Sequence, residues 1–505
     1  MKKGNRKLAG ALVSTVLLLG LAGCLPGPKY RKPSAPVATA PAYKESTVHF
    51  KNAPGWKVAS PQDATLRGNW WEMFQDPQLN SLEEQLNINN QTIKASFENY
   101  MAARAIVREA RAQYWPTVTL GPSWRRSKSS GNLRNSSTAN TGSQSTTWSM
   151  PIDVSWTPDL FGRIRSQVRS AEFGAQVSAA DLASVRLAEQ ASLAEFYFQL
   201  RGQDALQKIL NDTVEADRKA LELTQTLYKT GMGDYISVVQ AQTTLKGAES
   251  AALNVGVNRA QYENAIAMLI GKPATNFSLP SSPELREPPP IPVGVPSQLL
   301  ERRPDVSAAE RALAEANATI GIGYGAFFPS ISLSATGGFE ASSLKHWFDW
   351  PSRFWSIGPS IAQTVFNGGL YRAELQQYTA TYNASVANYR QTVLTAFQQV
   401  EDYLAATRIL SQQAAKQQEA VDSAKTYLDL EMERYRTGID PYLNVTVAQT
   451  TLLSDQQTLT TLRMQEMTAS IELIQALGGG WGTSQLPTPK QVSEKAPAGT
   501  YTLQH

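Results

Sequence analysis

The feature that most constrains this chain is that it repeats itself. Tyr228-Lys229-Thr230-Gly231, followed by Tyr235 and Ala241-Gln242-Thr243-Thr244-Leu245, returns as Tyr435-Arg436-Thr437-Gly438, Tyr442 and Ala448-Gln449-Thr450-Thr451-Leu452, 207 positions further on. The same displacement pairs Arg201 with Arg408 and Gly271 with Gly478. Upstream the displacement becomes 213, and Tyr114-Trp115-Pro116-Thr117-Val118 is matched by Phe327-Phe328-Pro329-Ser330-Ile331. Two halves of about 200 residues therefore share one design, and whatever one half forms the other should form too.

Each half predicts a very long helix. No proline stands between Pro158 and Pro273, or between Pro359 and Pro441, so helices over residues 159–230 and 370–437 are allowed, each reaching roughly 100 Å at about 1.5 Å per residue. Val386, Tyr389, Val393, Ala396, Val400 and Tyr403 keep heptad spacing, as do Leu210, Val214 and Leu221 more loosely, which predicts side-by-side helix packing. Gly231 and Gly438 fit left-handed helix stops, and Asp440-Pro441 fits an N-cap followed by a first helical residue. Shorter helices follow over 234–270 and 441–477. With a further helix near 81–114, two short helices placed end to end would match one long helix.

Between the helices the period changes to two. Val118, Leu120, Pro122 and Trp124 alternate with small polar residues, as do Trp148, Met150, Ile152, Val154 and Trp156. The second half copies this with Ile331, Leu333, Ala335 and Phe339, then Trp355, Ile357, Pro359 and Ile361. Strands over 116–126, 146–157, 329–340 and 353–366 have the length of tilted strands crossing a bilayer. Taken singly, each also fits a half-buried soluble sheet. Four strands cannot close a barrel and an open edge cannot sit in lipid, so the barrel is expected to be shared between subunits. Two copies would give eight strands with a filled interior, and three would give twelve with a passage, which favours a homotrimer if the chain conducts anything. Serines and threonines, with Asp153 and Arg125, would wet the lumen, while Trp124, Trp148, Trp156 and Trp355 would form an aromatic girdle. Residues 126–146 read as the external loop.

The first two dozen residues read as an export signal. Lys2, Lys3, Arg6 and Lys7 precede an apolar run from Leu8 to Ala22, too short for a spanning helix. Leu21-Ala22-Gly23-Cys24 then has the form of a lipoprotein cleavage site, whose thiol accepts a diacylglycerol. Removing residues 1–23 takes away four basic groups and leaves 43 of each sign, so nucleic-acid binding is not expected. The three histidines (His49, His346, His505) and one cysteine exclude a disulfide framework and a clustered metal centre. The chain offers no nucleotide site and no nucleophile with a base. Gly321, Gly323 and Gly325 lack the preceding strand and following lysine of a phosphate loop and read as small-residue packing. In Arg302-Arg303-Pro304-Asp305, proline opens a helix with an acid in its first turn, a structural helix entry.

The lipidation site, the duplicated Tyr-x-Thr-Gly turn, Leu300-Glu301-Arg302-Arg303-Pro304-Asp305-Val306 and Ala476-Leu477-Gly478-Gly479-Gly480-Trp481 resemble the TolC-like outer-membrane efflux proteins, in their lipoprotein OprM/NodT-type branch. The resemblance covers nearly all of the mature chain. It implies a mixed α and β membrane protein with duplicated halves, each giving two transmembrane strands and long coiled helices, assembled as a trimer. A 12-stranded β-barrel in the Gram-negative outer membrane would continue as a periplasmic α-helical barrel. The implied function is the passive exit duct of a tripartite efflux pump for drugs or other small toxic compounds, and not an enzyme. The implied partners are a periplasmic membrane-fusion adaptor, an inner-membrane RND-type transporter and outer-membrane lipid. No cofactor is implied beyond an N-acyl diacylglycerol on Cys24.

In such proteins the helix tips close the periplasmic mouth. The resemblance places adaptor docking at Thr230, Gly231, Asp234, Thr437, Gly438 and Asp440, and the constriction at Leu443, with Asn444 beside it. Val447 and its first-half counterpart Gln240 stand where an acid is common, so a carboxylate ring at that level is not expected. Asp234 and Asp440 read first as helix caps. The implied division is a signal at 1–23, an N-terminal segment at 24–80 around the equator, a first repeat at 81–278, a proline-rich linker at 279–299, a second repeat at 300–477 and an equatorial tail at 478–505. The duct of a protein-secretion system, or less readily a lipid-anchored scaffold without a pore, would share most of these features.

Overall fold

A computed structural model describes residues 27–33, 43–44, 68–130, 144–291 and 301–494. The first half contains α1 (Pro77–Asn89), α2 (Gln91–Ala112), β1 (Thr117–Leu120), β2 (Ser123–Lys128), β3 (Gln144–Trp156), α3 (Arg163–Lys229) and α4 (Tyr235–Leu269). The second contains α5 (Pro304–Gly325), β4 (Ser330–Ala341), β5 (Arg353–Ala362), α6 (Leu370–Arg436) and α7 (Tyr442–Ala476), with a short α8 (Pro489–Ser493) after it. The long helices α3 and α6 both have 67 residues and the tip helices α4 and α7 both have 35. The duplication read from sequence is thus a duplication of structure.

Helix α3 packs against α2, α4 and α5, and α6 packs against α5 and α7. Two short helices therefore run beside each long one. Their junctions are held by equivalent side chains. Arg303 Nη1 donates to the carbonyl of Ala476 at 3.1 Å, while its Nε and Nη2 clamp Asp305 in the first turn of α5 at 3.0 and 2.6 Å. In the first half Asn90 Nδ2 donates to the carbonyl of Leu269 at 3.0 Å, and Asn90 Oδ1 caps α2 by accepting from Ile93 N at 2.9 Å. Each residue thus satisfies a helix-terminal carbonyl that has no intrahelical partner. The main hydrophobic core gathers at this level. Trp70, Phe74, Leu79 and Leu86 meet Leu193, Tyr197, Leu200, Ile266, Val393, Val400, Ile471 and Ile474.

The glycines at 321, 323 and 325 do set close helix packing. A Cβ at Gly321 would lie 2.7 Å from Ser166 Oγ, at Gly323 2.8 Å from the Tyr378 ring, and at Gly325 2.9 Å from Arg163 Cβ. Helix α5 is wedged between α3 and α6 because it has no side chain at these points.

The strands form one antiparallel sheet in which β1 and β2 both pair with β3, followed by β4 and β5. One register runs through both β1 and β2, from Thr117↔Ser155 to Lys128↔Gln144, so they occupy one strand position interrupted at Gly121-Pro122. Pro122 has no N–H to give the ladder. The sheet sorts its residues by chemistry. Thr119, Asp153, Thr336 and Ser356 are neighbours on one face, and Val118, Val154, Ala335 and Ile357 on the other. On the polar face Thr336 Oγ1 donates to Asp153 at 2.6 Å and the hydroxyls of Ser332 and Ser360 meet at 2.7 Å. On the apolar face the Trp124 and Trp148 rings lie 5.9 Å apart, and Trp347 adds a third ring 5.4 Å from Trp148. Among the described residues no helix is long and apolar enough to cross a membrane.

Away from the helix tips, the structure departs from four expectations. The helix expected over 81–114 is two helices, because Asn90 leaves helical backbone to cap α2. Residues 126–128, expected in the external loop, continue β2 paired to residues 144–146. The last strand ends at Ala362 and not at 366, with exposed Val365 and Phe366 beyond it. The first long helix begins at Arg163, since Asp159 turns back to accept from the backbone of Ile164 and Arg165.

Replacing Arg303 with methionine leaves the Ala476 carbonyl without its donor and Asp305 with only the backbone N–H of Val306. It should lower stability by about 2 kcal/mol, read as a lower unfolding midpoint of the detergent-solubilised protein, whereas Arg302→Met should cost less.

Candidate functional site

The two turns at the far ends of the long helices are built alike. Gly231 and Gly438 adopt φ of +77° and +75°. After α3, Met232 N bonds to Leu227 O at 2.9 Å and Gly231 N to Tyr228 O at 3.0 Å; after α6, Ile439 N bonds to Arg434 O at 2.9 Å and Gly438 N to Tyr435 O at 3.0 Å. The six-to-one bond with a left-handed glycine is the Schellman stop. Thr230 and Thr437 donate their hydroxyls to the carbonyls four residues back, both at 3.0 Å, and so finish the last turns. A Cβ at either glycine would meet nothing within 4 Å, so the backbone dihedral alone demands glycine.

The acids that follow are used differently. Asp234 is the N-cap of α4, accepting from Ser237 N at 2.7 Å, and that bond holds its carboxyl below the usual range. Asp440 is not the cap of α7. The helix begins at Tyr442 with Pro441 at the cap position, and Asp440 instead accepts from Arg434 Nε, whose guanidinium lowers its pKa. The expected cap is lost because Pro441 is extended, at φ −75° and ψ 154°, and moves the helix start one residue on.

Each turn also carries a tyrosine pair, which spacing alone did not single out. Tyr228 and Tyr235 lie 5.5 Å apart, and Tyr435 and Tyr442 lie 5.2 Å apart. The first pair is exposed, at 48% and 62%, whereas the second is buried, at 8% and 1%, in a cluster with Ala220, Ala241 and Val445. The second tip is thereby seated against the first hairpin.

On α7, Tyr442, Val445 and Ala448 are buried, while Leu443 and Val447, one turn apart, are exposed. Asn444 between them is half-buried. In the first half the places of Leu443 and Val447 are taken by exposed Ile236 and half-buried Gln240. Ile236 was not foreseen, although the displacement of 207 points directly to it. The exposed stripe at the tips is therefore apolar to neutral.

Behind the tips lies an unforeseen charge. Asp217 occupies a seam position on α3, 2% exposed, and among the described residues neither of its carboxylate oxygens has a hydrogen-bond partner. The nearby Tyr442 hydroxyl is also unpartnered. Burial pushes the Asp217 carboxyl up to about 6, and burial together with the Asp217 charge pushes Tyr442 up to about 12.

Of the remaining expected residues, Trp124, Trp148, Trp156 and Trp355 all lie on the apolar face of the sheet. Cys24 lies outside the described residues.

Residues 82–272 and 295–479 match the outer membrane efflux protein family as two successive copies, one for each structural half. The chain belongs to that family, whose members are export channels of the Gram-negative outer membrane. It is 32% identical to the antibiotic efflux pump outer membrane protein ArpC of Pseudomonas putida, over 97% of this chain and 99% of that one. It is equally similar to the toluene efflux pump outer membrane protein TtgC of Pseudomonas putida. Among solved structures it resembles the outer-membrane channel OprN, with TM-score 0.81 and 27% identity over 91% of this chain and 100% of that chain.

Gly438→Val should destabilise the tip by about 1–2 kcal/mol and abolish efflux with the protein still inserted, while Gly438→Asn should retain efflux, because asparagine tolerates the left-handed region. Asp217, with its folded pKa above its unfolded value, favours the folded state most while protonated, so tip stability should fall as pH rises from about 4 through about 6. Protection factors around residues 214–220 and 442–449, corrected for the intrinsic pH dependence of amide exchange, should therefore fall from pH 5 to pH 7, and Asp217→Asn should flatten that dependence.

Proposed function

We propose that three copies of this chain form the exit duct of a tripartite efflux pump. The sheet carries the proposal. It has four strand positions, one polar and one apolar face, and among the described residues two edges without a partner, β1 with β2 at one side and β5 at the other. An outer-membrane sheet with unpaired edges would leave backbone groups unsatisfied in lipid. Joining β5 of one copy to β1 and β2 of the next, three times, closes twelve strands around a passage, with Thr119, Asp153, Thr336 and Ser356 inside and the tryptophans outside. The long helices continue the passage into the periplasm, which α3 and α6 span by roughly 100 Å.

At the periplasmic mouth, Leu443 and Val447 from three α7 helices, with Ile236 and Gln240 from three α4 helices, form the constriction, and Asn444 borders it. It closes by apolar contact and not by a carboxylate ring. The turns at Thr230, Gly231, Asp234, Thr437, Gly438 and Asp440 form a solvent-facing rim that fits a periplasmic adaptor, beyond which an inner-membrane RND-type transporter supplies the energy. The duct itself is passive. The antibiotic and toluene pumps of its relatives point to drugs or small apolar toxicants as cargo.

Lipid anchoring at Cys24 fits the path of the chain that follows it. Tyr30 donates to Glu310, Asn317 Nδ2 donates to the carbonyl of Pro28 at 3.1 Å, and a Cβ on Gly27 would lie 3.1 Å from Gly321 Cα. Read backwards, the segment climbs α5 toward the sheet. Cys24 is three residues from Gly27, within about 10 Å of extended chain. A diacylglycerol on Cys24 would then reach the level of the membrane.

In a strain lacking this gene, the intact chain should restore resistance to antibiotics or toluene, and Leu443→Gly with Val447→Gly should raise the single-channel conductance of the purified particle. A particle without conductance in either form would contradict the duct. Restored export of a protein, with no change in drug or solvent resistance, would move the reading to a secretion duct.

A further inference from the structure

We propose that the outward face of the sheet, at its extracellular end, binds the phosphate groups of outer-leaflet glycolipid through Arg126, Lys128 and Arg353. This inference rests on the closed cylinder proposed above, which decides that the apolar face meets lipid.

The strand register places these residues. Arg126 and Lys128 follow Trp124 at two-residue intervals on β2, so they share its face, whereas Arg125 lies on the polar face beside Thr147. Arg353 opens β5 on the apolar face, opposite Phe339. Arg126 and Lys128 thus stand two and four residues beyond the row of Trp124 and Trp148, while Arg353 starts β5 level with Phe339 and Met150, two residues short of that row, so the three bracket the depth at which an aromatic belt gives way to headgroups.

Their charge is not compensated locally. Arg126 donates to the neutral Gln144 Oε1 at 3.4 Å, and the Arg353 guanidinium lies 3.7 Å above the Trp350 ring. Among the described residues no carboxylate pairs with any of the three. From Arg126 to Ile152 the sequence contains no acid at all. In the second hairpin Asp349 is taken by His346 Nδ1 at 2.6 Å, and Glu340 belongs to the polar face, opposite Ser149.

The three residues also lie at opposite edges of the subunit sheet, Arg126 and Lys128 on β2 and Arg353 on β5. Closing the cylinder brings Arg353 of one copy to the strand that carries Arg126 and Lys128 in the next. A basic cluster forms at each of three seams. Repulsion between these groups would oppose assembly unless an anion lay between them, and at this depth the available anions are phosphates on the lipid headgroups. Planar guanidinium groups suit phosphate oxygens by paired hydrogen bonds.

The test uses the purified full-length particle in detergent, titrated by native mass spectrometry with bis-phosphorylated lipid A, with the same lipid stripped of phosphate, and with inorganic phosphate. The wild type should retain the phosphorylated lipid in preference to the other two. Combined Arg126→Glu, Lys128→Glu and Arg353→Glu should weaken that binding by at least about tenfold, and Arg125→Glu should leave it unchanged. Unaltered particle mass and sheet circular dichroism establish that the variants fold; the milder Arg126→Gln with Arg353→Gln should show a smaller loss. Equal binding by the triple variant, equal retention of the stripped lipid, or inorganic phosphate bound as tightly as the lipid would overturn the inference while leaving the cylinder intact. Loss of binding in Arg125→Glu alone would overturn it together with the assignment of the two faces. A particle mass of one chain would sink the cylinder itself.

Discussion

A backbone amide or carbonyl exposed to hydrocarbon has no water to bond with, and that penalty governs the architecture of this protein. One subunit supplies four strand positions, which is too few to hide both edges of its sheet. The alternating chemistry along those strands, with serine and threonine on one side and valine, isoleucine and tryptophan on the other, is useful only if the sheet curls until its edges meet. The closure proposed above would then set the requirements for the rest of the chain. At one end each strand position adjoins a helix, α2 before β1, α3 after β3, α5 before β4 and α6 after β5, so the proposed wall of strands continues as a wall of helices.

The helical part meets its own version of the same constraint. Beside each long helix stand two shorter ones, and each junction leaves carbonyls without intrahelical partners. Arg303 and Asn90 fill equivalent places in the two halves with different chemistry, a guanidinium in one and an amide in the other. The duplicated architecture is therefore preserved by hydrogen-bond geometry and not by residue identity. The same divergence is seen at the tips. Both turns use a left-handed glycine and a threonine hydroxyl, but Asp234 caps its helix while Asp440 pairs with Arg434, and only the second tyrosine pair is buried. The hairpins are alike in backbone and unlike in how firmly each is held, which suits a mouth in which one hairpin moves against the other.

Much of this was legible in the sequence, for identifiable reasons. A 67-residue helix without proline leaves a long unbroken signal, and the strands alternate cleanly because each has one wet and one apolar face. The resemblance carried by the tyrosine-threonine-glycine turn and the arginine-arginine-proline-aspartate motif located the tips and the helix entry. What remained hidden depended on contacts distant in sequence. Asn90 breaks a helix because a carbonyl 179 positions away needs a donor. Asp440 loses its cap because Pro441 stays extended, and it pairs instead with an arginine in the preceding helix. Asp217 gives no sign of its burial, since a lone aspartate within a polar helix normally faces water. The continuation of β2 to Lys128 was obscured because arginine, serine and lysine read as loop until the partner strand fixes their faces.

A wall shared between subunits is tested most directly by the mass of the particle extracted from the outer membrane in mild detergent. A mass of three chains, each carrying the lipid on Cys24, is the predicted result. A single folded chain that keeps its sheet signal without neighbours would contradict it.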